Sequence, residues 1–78
     1  MEPHGRLVLR SRRGMKELDV VLERWLARDL PAADENTRAA YARLLELADP
    51  DLAEYLLQGR AHAEPELATL IARIRMAA

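Results

Sequence analysis

Apolar residues return along this chain with the spacing of one helix face after another. Met15, Leu18, Leu22, Trp25 and Leu26 follow the three-and-four rhythm that gathers side chains into one stripe of an α-helix. This pattern predicts a helix over 15–30, stopped by Pro31, whose ring disfavours continuation. Asp34 is placed to cap a helix over 34–48, with Tyr41, Leu44, Leu45 and Ala48 on one face. Asp49-Pro50-Asp51-Leu52 reads as the start of a helix over 50–58, with Asp49 at the cap, Pro50 in the first helical position and Gly59 at the close. Pro65 opens a last helix over 65–76, with Leu67, Leu70, Ile71 and Ile74 in register. Ahead of these, 6–13 forms a short helix with Arg12 and Arg13 in its final turn, where cations suit the negative end of the macrodipole. Gly14 then serves as the left-handed residue beyond it. Without strand alternation or internal repeat, the expectation is an all-α, single small five-helix bundle domain over 1–78, with 1–5 a flexible N-terminus.

Composition narrows how such a bundle holds together. Half of the 78 residues are hydrophobic, yet only Trp25, Tyr41 and Tyr55 are aromatic and there is no Phe. The core must therefore be built mainly from Leu, Ala, Val, Ile and Met, and helices this short persist only by packing their apolar stripes. The three aromatics are expected in the core or at its edge, with their polar tips reaching water. Without cysteine, disulfides, thiolate metal sites and cysteine nucleophiles are excluded. The opening MEPHGRLVL lacks the charge and apolar run of a secretory signal, and no stretch is long enough to span a membrane. A soluble protein with no direct membrane insertion is expected.

Charge adds an asymmetry. The net formal charge is −1, which argues against nucleic acid as a partner. Residues 1–16 nevertheless carry Arg6, Arg10, Arg12, Arg13 and Lys16 against Glu2, a net +4, which leaves −5 for the rest. A basic end on an acidic body suits an oriented encounter with a charged partner, but charge alone favours an ordinary solvated helix face. A helix-turn-helix DNA reader fits the size, but the cations lie around a turn rather than along a later helix.

The inventory for catalysis is thin. Ser11 is the only serine, and His4 and His62 the only histidines. His4 is expected in a frayed end and His62 in a loop, so neither is set beside a nucleophile. His62-Ala63-Glu64 matches the His-x-Glu of zinc deaminases, but that signature also needs a cysteine pair. The paired acids Asp34/Glu35, Asp49/Asp51 and Glu64/Glu66 sit at helix starts, where the macrodipole accounts for them. Gly5, Gly14 and Gly59 are too scattered for a phosphate loop. The expectation is a binding protein that is not an enzyme and has no metal site.

Arg12-Arg13-Gly14-Met15-Lys16-Glu17-Leu18-Asp19 carries a more specific signal. It resembles the hallmark of the small flavinylation factors of succinate dehydrogenase, the bacterial SdhE-like proteins related to succinate dehydrogenase assembly factor 2. The hallmark is Arg-Gly-x-x-Glu, here Arg13, Gly14 and Glu17, extended by Leu18 and Asp19. Leu44-Leu45-Glu46, Asp49-Pro50-Asp51-Leu52 and a C-terminal helix after Glu66-Leu67 continue the resemblance from about Arg6 to Arg75. The segment before the hallmark departs from the family in lacking an aromatic.

The resemblance implies a cytoplasmic bacterial chaperone, monomeric when free. It would bind the flavoprotein subunit of succinate dehydrogenase, and in many bacteria that of fumarate reductase. It would promote covalent attachment of FAD to that subunit; the flavin would belong to the partner, leaving this chain no cofactor of its own. Arg12, Arg13, Gly14, Met15, Glu17 and Asp19 would form the partner-binding site. Local physics alone favours Gly14 as a helix terminator and Glu17 as a first-turn acid; the resemblance reverses that preference. The alternative from another class is an antitoxin-type protein that binds a toxin partner.

Overall fold

The structure, a computed structural model, describes residues 4–77. Within them lie five α-helices and no strand: α1 (His4–Arg10), α2 (Lys16–Arg28), α3 (Glu35–Leu44), α4 (Asp49–Leu57) and α5 (Pro65–Ala77). A 3₁₀ turn, Leu30–Ala32, links α2 to α3. The all-α bundle is thus as expected. The flexible segment expected over 1–5 falls partly on residues 1–3, outside the described residues, while His4 and Gly5 open α1.

The stripes read from the sequence close on one another. Helix α5 packs against α2, α3 and α4, and α2 packs against α4 as well, so α2 and α5 form the middle of the molecule. Leu18, Leu22 and Trp25 from α2 meet Leu67, Leu70, Ile71 and Ile74 from α5 in a single core that also takes Leu7, Leu30, Tyr41, Leu44, Leu52 and Leu56. Trp25 and Tyr41 stack at its centre, ring centroids 4.5 Å apart and planes 28° from parallel. Neither reaches water. This corrects the expectation for their polar tips: the Tyr41 hydroxyl shares a buried hydrogen bond of 2.5 Å with Ser11 Oγ. Trp25 Nε1 is buried without a hydrogen-bond partner among the described residues. Tyr55 does lie at the core edge, with Arg60 over its ring and His62 against it.

Several boundaries differ from the sequence pattern, each for a visible reason. Helix α1 ends at Arg10 rather than at residue 13. There the Ser11 amide is shared between the Leu7 and Val8 carbonyls, and the Arg12 amide bonds to Leu9 in a tighter turn. Helix α2 stops at Arg28 because Pro31 supplies no amide, and the 3₁₀ turn that follows buries Leu30 completely. Asp34 caps α3 as expected, its carboxylate accepting from the Thr37 amide at 2.8 Å. That helix ends at Leu44 rather than at 48. Ala48, not Asp49, occupies the cap position of α4, and Asp49 turns its carboxylate elsewhere. Gly59, at φ +78°, closes α4, letting the Arg60 amide reach the Glu54 carbonyl at 3.0 Å.

The buried phenol sets a pH response. Burial pushes Tyr41 up from 10.0 to about 12, outweighing the Ser11 hydrogen bond and the Arg13 charge. The folded protein thus holds this proton more tightly than the unfolded chain does. Its stabilising effect is complete below pH 10 and disappears as the pH rises through about 12. Urea unfolding at stepped alkaline pH should show a Tyr41-dependent loss of roughly 2–3 kcal/mol across that window. Tyr41→Phe should flatten this part of the profile; an unchanged profile would mean that the phenol titrates as if exposed.

Candidate docking face

Between α1 and α2 the chain makes a short uncapped link, and the residues of the Arg-Gly-x-x-Glu hallmark meet there. Asp19, in the first turn of α2, folds its carboxylate back over the link. Oδ1 accepts from the Arg13 amide at 2.8 Å and Oδ2 from the Gly14 amide at 3.3 Å. One side chain thereby satisfies two consecutive amides that have left α1, at the end of α2 where the macrodipole favours a negative group. Gly14 takes φ +84°, a conformation costly for residues with a Cβ. A Cβ built there would meet nothing within 4 Å, so the side of the turn that faces solvent is open.

Arg13 points the other way. Its Nη2 donates to the carbonyls of Leu45 at 2.6 Å and Leu47 at 2.8 Å, and its Nη1 to Arg10 at 3.3 Å. Its Nε lies 3.2 Å from Asp49 Oδ1, an ion pair without hydrogen-bond alignment. The side chain is 15% exposed. A guanidinium can do this because its donors form a fixed fork, which here satisfies carbonyls freed where α3 ends. Asp49, the first residue of α4 rather than its cap, turns its carboxylate toward this guanidinium.

The six residues singled out by the resemblance therefore form two sets. Arg12, Gly14, Met15 and Glu17 are exposed, Met15 at 37%, and present a surface of mixed charge around an open turn. Arg13 and Asp19 are half-buried and hold that turn in place from within. Sequence reasoning missed the inward bonds. Arg13 reaches partners more than thirty residues away, for which no local signal exists. Asp19 did carry a signal: an acid in the first turn just after a glycine can fold back onto the preceding amides.

The other candidate groups do not converge. Ser11 is buried, donating its hydroxyl to the Leu7 carbonyl at 2.7 Å beside Tyr41. His62 lies against Tyr55, and its Nδ1 accepts from the Glu64 amide at 3.0 Å. The Glu64 carboxylate pairs instead with Arg43, which holds it below the usual carboxylate range. Among the described residues no group of three or more His, Cys, Asp or Glu side chains is placed to hold a metal. Among the same residues no helix is long and apolar enough to cross a membrane.

Two variants separate the internal roles. Arg13→Ala strands the Leu45 and Leu47 carbonyls and should cost about 2–3 kcal/mol in denaturant unfolding, with Arg13→Lys recovering only part because it lacks the fork. Asp19→Ala should cost about 1–3 kcal/mol. Wild-type melting in either alanine variant would show that these bonds contribute nothing to the fold.

Comparison with known proteins finds relatives by sequence. The family described as flavinator of succinate dehydrogenase matches residues 5–78. An FAD assembly factor SdhE of Methylococcus capsulatus is 41% identical over 75 residues, covering 96% of this chain and 90% of its own. Another, from Legionella pneumophila, is 39% identical over 71 residues, with 91% and 89% covered. One from Pseudomonas aeruginosa is 39% identical over 71 residues, with 91% and 81% covered. No solved structure gave a significant match.

Proposed function

We infer that this chain, which belongs to the family of flavinators of succinate dehydrogenase, binds the flavoprotein subunit of that enzyme through the Gly14 turn and promotes covalent attachment of FAD to it. The relatives are named assembly factors rather than enzymes. On this reading the flavin and the residue that accepts it both belong to the partner, and the factor, monomeric when free and acting in the cytoplasm, holds the partner in a competent arrangement. The flavoprotein of fumarate reductase is a second client on the same reading. No observation favours the antitoxin alternative.

One observation supports the placement. Gly14 is held at positive φ with free space where a side chain would project, and Arg12, Met15 and Glu17 are exposed around it. A backbone with no Cβ lets another protein approach to main-chain contact distance. Arg13 and Asp19 contribute by fixing the turn before the partner arrives, which lowers the ordering cost of association.

Three variants test the reading against simple structural damage. Gly14→Ala should cost about 1 kcal/mol of stability, from backbone strain alone. Gly14→Arg adds bulk and charge on the open side, and should abolish covalent flavin on the flavoprotein in a strain lacking the factor while the domain still folds. Glu17→Ala should lower flavinylation and shift melting by only tenths of a kilocalorie per mole. Flavin attachment is read as in-gel fluorescence of the denatured subunit. If activity falls only in step with melting, or both Gly14→Arg and Glu17→Ala stay fully active, the turn is scaffold.

A further inference from the structure

The Gly14 turn closes one end of a furrow of about 450 Å³ between α1 and α2. Val8 from α1 and Leu26 from α2 give it half-buried apolar lining; the exposed Arg12 lies on the α1 side and the exposed Glu23 on the α2 side. Asp19, Glu23 and Leu26 fall on one stripe of α2, so the furrow runs along that helix away from the turn. Its two acids are not equivalent. Asp19 is engaged by the Arg13 and Gly14 amides, whereas Glu23 forms no ion pair among the described residues. Nothing in the fold calls for a carboxylate at position 23, on an exposed site beside apolar lining.

We propose that this furrow takes an extended segment of the flavoprotein subunit, one apolar side chain of which lies against Val8 and Leu26 while a neighbouring lysine or arginine pairs with Glu23. The proposal rests on the docking reading above and enlarges its surface from a turn to a turn with a slot beside it. The chemistry sets the direction of the occupant. A carboxylate or backbone carbonyl of the segment lies toward Arg12, and its cation toward Glu23, on the opposite wall. Shallow apolar lining with opposite charges across it suits one anchor side chain in an extended strand of chain, because a helix would need a wider groove with several anchors.

The test measures affinity of the full chain for the purified flavoprotein subunit, with sedimentation of the free factor and melting of each variant alongside. Glu23→Lys should weaken binding about ten-fold at low salt, and Glu23→Gln less, with the difference shrinking as salt is raised. Melting should not change, since Glu23 is exposed. A photo-crosslinking residue at position 23 should capture a flavoprotein peptide that has lysine or arginine next to an apolar residue. Unchanged affinity of Glu23→Lys while Gly14→Arg abolishes binding would overturn the furrow and leave the docking turn standing. If neither variant loses affinity, both fail. A change in self-association of the free factor on Glu23→Lys would also overturn the proposal, because the furrow would then belong to a second copy of this chain.

Discussion

The Arg13 guanidinium joins two corners of the molecule that the chain separates by more than thirty residues. On one side it continues the link between α1 and α2; on the other it donates to the Leu45 and Leu47 carbonyls and lies beside Asp49. Both corners are helix ends, with amides or carbonyls that no helix satisfies. Asp19 serves the amides of the first corner and Arg13 the carbonyls of the second. The two side chains thus make a polar bridge across one end of a bundle whose interior is mainly apolar. Without it α3 could run on past Leu44, Asp49 would be free to cap α4, and Gly14 would lose the restraint that fixes its backbone.

The same bridge explains how a domain with so little chemistry of its own can offer a defined surface. A small core leaves little stability to spare, so a loop is ordered only where hydrogen bonds hold it. Here they hold from the inside, and the side chains of Met15 and Glu17 are left exposed beside the open face of Gly14. Residues next to one another in sequence have taken opposite tasks: Arg13 faces in and Arg12 faces out. An assembly factor requires this division, because a surface that bound its partner through the bonds that hold the fold would lose one to make the other.

Much of this was legible in the residues. The apolar stripes of α2 and α5, the Asp34 cap and the Pro65 start are local patterns, and each appears where the spacing puts it. The hallmark residues do meet at one turn, between α1 and α2. What could not be read was which hallmark residues point outward, since Arg13 finds its carbonyl partners across the molecule, just past the end of α3. Helix α1 ends short of residue 13 although arginines suit a last turn, and the Arg13 and Gly14 amides that follow bond to the Asp19 carboxylate. The aromatics do lie in the core or at its edge, but the polar ends of Trp25 and Tyr41 do not reach water; the hydroxyl that meets Tyr41 belongs to Ser11, thirty residues earlier.

The most direct measurement is amide hydrogen exchange over residues 12–17, in the free factor and in its complex with the flavoprotein subunit. If the turn is set in advance by Asp19 and Arg13, the Arg13 and Gly14 amides exchange slowly in the free protein and hardly change on binding. New protection should then appear at Met15 to Glu17. Free-chain exchange rates at Arg13 and Gly14 before binding, with protection acquired only in the complex, would contradict a preset turn and make the partner the agent that orders it.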